Sequence, residues 1–304
     1  MSTILLRSLI FVCVSLAATS MATVAQEPFD LVVAGGRVID PESGLDAIQH
    51  LGIRDDRVVE MSGKPLSGRD VLDAGGLVVA PGFIDLHRHA HGDISYRYAA
   101  RDGVTSVFEL EIGTPDVDAW YRMLGPARLI NFGVAAGHIG ARMQVLGDKG
   151  FLLPTGPGRG PASPSQIAEI VSLVENGLVA GAVAVGIGTA YTPGASAEEI
   201  AGVLNMAARQ GAFVHAHLGS GLKSLESMLN LAEQARSPLH IAHINSTAGD
   251  EVRRWLDLIQ TARRGHADVT TEMYPYTAGA TLIQSALYDG WESWPDQRFA
   301  RLQW

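Results

Sequence analysis

The chain has 304 residues, a formal net charge of −9, 47% hydrophobic residues and 18% charged ones. That is enough apolar content to bury a core, which excludes a disordered chain, and an acidic balance without a basic stripe argues against nucleic acid as the main partner. The single cysteine, Cys13, excludes a disulfide scaffold and a cysteine-rich zinc site.

The first 25 residues read as an export signal. Arg7 precedes an apolar run over 8–18, and the small residues Thr23 and Ala25 stand just before Gln26. The run is short against the roughly 20 residues a membrane span requires. Cleavage after Ala25 is therefore expected, giving a periplasmic or secreted chain with no membrane anchor and no cysteine.

Residues 26–79 read as a partial β-module. The runs 31–33 and 37–39 flank Gly35-Gly36, and 52–54 and 57–61 flank Asp55-Asp56, both hairpin signals. A strand over 78–84 then leads into His87 and His89. Beyond Leu86, strand-like runs recur at 105–112, 129–136, 182–187, 212–217, 239–244 and 268–274. Helical patterns lie between them, clearest at 165–176, 196–210 and 249–264. This alternation predicts βα units and a parallel sheet. The predicted class is an α/β (β/α) barrel of the TIM type over 80–304, with seven strands where a closed barrel has eight. The Gly/Pro-rich stretch 150–165 reads as a surface loop.

The histidines carry the chemistry. His87 and His89 share one face of an extended segment. His217 ends the run Phe213-Val214-His215-Ala216-His217, and His243 ends Leu239-His240-Ile241-Ala242-His243. Chemistry in a βα barrel gathers at the C-terminal strand ends, where imidazole nitrogens converge on a metal. Glu109 and Glu111 share one face of the second strand. Carboxylates inside a barrel are costly unless paired or metal-bound. Either could bridge two divalent ions; Glu111 lies nearer the strand end and is the preferred ligand. His138 and Tyr191 are candidate substrate contacts.

The phrase Val79-Ala80-Pro81-Gly82-Phe83-Ile84-Asp85-Leu86-His87-Arg88-His89 resembles the first barrel strand of the amidohydrolase superfamily. Three further stretches are most similar to its N-acyl-D-amino-acid deacylases: Gly188-Thr189-Ala190-Tyr191-Thr192-Pro193-Gly194, the run 212–218, and Tyr274-Pro275-Tyr276-Thr277-Ala278-Gly279. The resemblance implies His87 and His89 on one ion and His217 and His243 on another, with one or two zinc ions as cofactor. It also implies a small-molecule substrate and metal-assisted hydrolysis of an amide C–N bond.

The chain departs from that pattern. The fourth strand has no lysine, and the position of the deacylases' bridging cysteine falls at Ile112, leaving Glu111 or Glu109. Gly219 stands where an arginine usually follows the fifth-strand histidine. The aspartate that closes an eighth strand as general base has no counterpart before Trp304, so no catalytic residue is assigned. The expectation is the N-terminal part of a deacylase-like hydrolase, poorly soluble alone and feebly active. A non-catalytic metal-binding fragment or decayed gene product is one alternative. A cyclic-amide hydrolase of the dihydroorotase or imidazolonase kind is another.

Overall fold

The computed structural model describes residues 28–125, 128–299 and 302. The expected export signal, with Cys13, lies outside them. The chain divides between Pro81 and Gly82 into two compact units.

The first unit is a five-stranded sheet of β1 (Phe29–Asp40), β2 (Leu45–Arg54), β3 (Arg57–Ser62), β4 (Gly68–Asp73) and β5 (Val78–Val79), in the order β3-β2-β1-β4 with β5 also on β1. The expected hairpin at Asp55-Asp56 joins β2 to β3, with Asp55 at φ 51°. The one expected at Gly35-Gly36 does not form. β1 runs straight through, and its register against β2 shifts between Val33 and Gly36. Gly35, at φ 70°, absorbs the extra residue as a bulge rather than a reversal. The chain reverses instead over 41–44.

The second unit carries β6 (Phe83–Asp85), β7 (Val104–Thr114), β8 (Asn131–Gly137), β9 (Ala184–Gly188), β10 (Val214–His217), β11 (Leu239–Ile241) and β12 (Val269–Thr271). Among the described residues these form one seven-stranded sheet in sequential order, every pairing parallel. The strand expected over 78–84 is two strands, β5 and β6, in different sheets. Pro81, which has no N–H to give to a ladder, stands at the break.

Helices cross between the strands: α1 (Asp93–Arg101), α2 (Val117–Leu124), α3 (His138–Leu146), α4 (Pro164–Val179), α5 (Ala197–Arg209), α6 (Leu222–Ala235), α7 (Ile244–Ala248) and α8 (Val252–Arg264). α4 starts on a capping box, Ser163 with Gln166, and Pro164 fills its first turn where no N–H is needed.

Period-two alternation sorts the sheet's faces. Val185, Ile187, Val214, Ala216, Leu239 and Ile241 pack with Leu204 and Trp255 in the main core. The alternate positions, His215, His217 and His240, point to the other side. The sheet curls so far that residues just after its first and last strands meet: His87 Nδ1 lies 2.5 Å from Glu272 Oε1.

β7 overhangs the strand end. Between Glu109 and Thr114 its register slips against only Val134 to Ala136 on β8, so the extra residues arch inward. Gly186 of β9 makes room, since a Cβ there would stand 2.7 Å from the Glu111 carbonyl oxygen. The arch delivers Glu109 and Glu111.

Candidate metal centre

Five residues singled out in the sequence meet at the C-terminal end of the parallel sheet. Glu111, 2% exposed, is the hub. Its Oε2 takes His87 Nε2 at 2.6 Å and His89 Nε2 at 3.1 Å. Its Oε1 takes His217 Nδ1 and faces His243 Nε2 at 3.9 Å. The imidazoles also face each other in pairs. His87 Nε2 and His89 Nε2 are 3.2 Å apart, and His243 Nε2 and His217 Nδ1 are 3.0 Å apart.

This donor set fits divalent ions. A tetrahedral ion with bonds of about 2.0–2.1 Å has ligand–ligand edges of about 3.3–3.4 Å, close to both nitrogen pairs. The sets His87/His89/Glu111 and Glu111/His217/His243 each bring one ligand atom per residue within 4.8 Å of the others. Each carboxylate oxygen thus serves one histidine pair.

His243 lies beyond the end of β11, not on a strand as the run 239–244 predicts. Its backbone sits at φ 28°, a conformation costly for a residue with a side chain and typical of functional sites. Its Nδ1 is bonded to Thr247 Oγ1 at 3.0 Å, which turns Nε2 to the centre. Glu109 stands behind His89, with Oε2 2.7 Å from Nδ1 and Oε1 accepting the Ile112 N–H.

The electrostatics follow from this crowding. Burial opposes ionisation of Glu111, but bonds from His217, His243, His87 and His89 outweigh it and hold the carboxyl well below the usual range. Burial likewise opposes charge on His87, yet Glu111 and Glu272 push it up to about 9. Glu109 and Glu111 push His89 up to about 10. Burial lowers His217 despite Glu111 beside it.

Three residues in the same space were not singled out: His215, His240 and Glu272. Glu272 faces His87 on one side, and His215 Nε2 and His240 Nε2 at 3.4 and 3.5 Å on the other. A signal exists. His215 shares the inward face of β10 with His217 and pairs in register with His240. Singly, though, each reads as an ordinary inward polar residue.

The centre opens into a cavity of about 980 Å³, walled by Ile112, Leu152, Leu153, Leu282 and Leu287 and by Tyr191, Tyr274 and Tyr276. The ring of Tyr191 lies 4.4 Å from that of His217. Burial, and then the charge of Glu111, push its hydroxyl pKa up, so it stays protonated. Arg88 reaches the wall already paired with Asp85 at 3.0 Å.

His138 is not in the wall. It is fully buried, its Nε2 2.7 Å from Glu199 Oε1, and Glu199 also pairs with Arg142. Arg142 Nε donates to the Gly158 carbonyl at 2.8 Å. This triad ties α3 and α5 to the 150–165 stretch, so His138 is structural. The stretch itself is not a plain surface loop. Asp148 gathers the backbone N–H groups of Gly150, Thr155, Gly156 and Gly158, and Leu153 is buried against Ile139 and Tyr191.

Known proteins are similar to this chain. N-acyl-D-glutamate deacylase of Alcaligenes xylosoxydans xylosoxydans is 28% identical over 302 residues, covering 85% of this chain and 59% of the enzyme. A dihydroorotase of Geobacter sp. (strain M21) is 28% identical over 275 residues, covering 81% of this chain and 61% of its own. The crystal structure of N-acyl-D-glutamate deacylase from Bordetella bronchiseptica, complexed with zinc and a phosphonate inhibitor, superposes with a TM-score of 0.66 at 24% identity, over 82% of this chain and 59% of that one. The chain is a homologue of the N-acyl-D-amino-acid deacylases, with the amidohydrolase fold. No family model matches it. It spans about three fifths of the deacylase's length.

Proposed function

We propose that the chain belongs to a metal-dependent hydrolase of amide C–N bonds, acting on an N-acylated amino acid or a related small amide. The carrying observation is Glu111, a buried carboxylate whose two oxygens each face a histidine pair. His87, His89, Glu111, His217 and His243 would hold one or two ions, zinc above all. A divalent ion there supplies Lewis-acid polarisation of a carbonyl and a nucleophile at neutral pH.

The chain's own residues do the rest. Glu109 fixes the His89 ring, and Thr247 fixes His243. Protonated Tyr191 offers a hydrogen-bond donor from the wall beside His217. The apolar wall takes the acyl chain and keeps water from the reacting carbonyl.

A second reading, hydrolysis of a cyclic amide, is favoured by the dihydroorotase relatives. Among the described residues, Arg88 is the one arginine or lysine on the cavity wall, and it is paired with Asp85. We further propose export of the mature chain from residue 26, on the basis of residues 1–25. The decisive experiment incubates the zinc-loaded chain with N-acetyl-D- and L-amino acids and with dihydroorotate and hydantoin. Turnover that a chelator abolishes and zinc restores supports the reading, and the productive substrate separates its two forms. A chain that retains no divalent ion after dialysis overturns both.

A further inference from the structure

Glu272 directly follows β12, the last strand of the parallel sheet, yet its side chain crosses to the first. Its Oε1 lies 2.5 Å from His87 Nδ1, while His87 Nε2 lies 2.6 Å from Glu111 Oε2. One imidazole is therefore held between two carboxylates. As a metal ligand the His87 ring is neutral, with one N–H and one lone pair. If Nδ1–H is donated to Glu272, the lone pair is on Nε2, the atom turned to Glu111. Glu109 does the same for His89 through Nδ1 at 2.7 Å.

The seat of Glu272 is itself built. His215 is fully buried and neither of its ring nitrogens has a hydrogen-bond partner, but Nε2 is directed at Glu272 Oε1, 3.4 Å away. His240 is anchored by Nδ1 to Thr270 Oγ1 at 2.7 Å and directs Nε2 at Glu272 Oε2, 3.5 Å away. The two rings stack at 5.1 Å. The Glu272 carboxylate thus has His87 at hydrogen-bond distance and two buried imidazole nitrogens facing it from beneath.

We propose that Glu272, seated on His215 and His240, is a positioning residue for the metal centre, fixing the His87 ring so that Nε2 is presented to an ion shared with His89 and Glu111. The inference rests on the metal reading above and adds to it the group that sets His87. Partners that orient a metal-ligating histidine typically contribute 10–100-fold to metal affinity.

The test measures zinc stoichiometry and affinity of the full chain by competition with a chromophoric chelator, with far-UV circular dichroism as the check on folding. Wild type is compared with Glu272→Ala and Glu272→Gln. The alanine variant should bind one ion about 10–100-fold more weakly. The glutamine variant, whose amide oxygen still accepts from Nδ1–H, should recover part of that loss, which a merely structural role would not produce. If Glu272→Ala does not fold, the near-isosteric glutamine variant decides: binding weaker than wild type upholds the inference and equal binding overturns it. Wild-type affinity in a folded alanine variant overturns it too. So does a third ion in wild type that Glu272→Ala loses outright, because Glu272 would then be a ligand. A wild-type chain that binds no ion overturns the proposed function and this inference together.

Discussion

At the scale of single residues, Glu111 decides the most. Burying a carboxylate this deeply is tolerable only because imidazoles surround it, and removing it leaves four histidines facing one another with no anion between them. Glutamine is nearly isosteric but neutral. Glu111→Gln should therefore lose zinc affinity by more than the about 10–100-fold expected for a merely orienting partner. Equilibrium dialysis with metal analysis reads this directly, and near-wild-type zinc content would sink the bridging role. His138 calls for the opposite outcome. It does not line the cavity and its partner Glu199 is buried. His138→Ala should cost about 1–3 kcal/mol of stability by denaturant unfolding, with KM for any substrate unchanged. A raised KM at unchanged stability would return His138 to the substrate.

Among elements, the segment following α3 shows how a Gly/Pro-rich stretch becomes a wall. Burial raises the Asp148 carboxyl pKa, but the N–H groups of Gly150, Gly158, Thr155 and Gly156 outweigh it and hold it below its ordinary value. A carboxyl depressed in the folded state stabilises above its unfolded pKa, near 3.9 for aspartate. That stability is lost as pH falls through the lower folded value. The protection factors for hydrogen exchange at Gly150, Gly156 and Gly158 should therefore fall below about pH 4. Asp148→Asn should show the same loss of protection already at neutral pH. Protection that is unchanged in the variant would mean that the turn geometry alone holds the segment.

For the whole molecule, the cluster draws on residues from His87 to Glu272, so an ion bound there links both ends of the curled sheet. Binding to the folded state alone stabilises by about 2.7 kcal/mol at a free ligand concentration of 100 times Kd. For a unit of this size each kcal/mol is worth about 2–4 °C. Zinc should accordingly raise Tm by about 5–11 °C, and a chelator should reverse the shift. An unmoved Tm at saturating zinc would mean that the cluster does not bind the ion in the folded chain.

The parallel α/β arrangement and the inward histidines were legible before any fold was known. Both are written in local periodicity: alternation along Val214–His217 and Leu239–Ile241 assigns each side chain a face without knowledge of any neighbour. Local signals also marked the Asp55-Asp56 turn. The preference for Glu111 over Glu109 rested only on its place nearer the strand end. On a regular strand the two share one face, and it is the arch of β7, admitted by Gly186, that sends one to the centre and the other behind His89. The bulge at Gly35 and the positive φ of His243 likewise arise from pairing partners and packing that no local pattern encodes. Glu272 is the extreme case. It reaches His87 across 185 residues of chain, and the contact exists because the sheet curls, a property of seven strands together and of none of them alone.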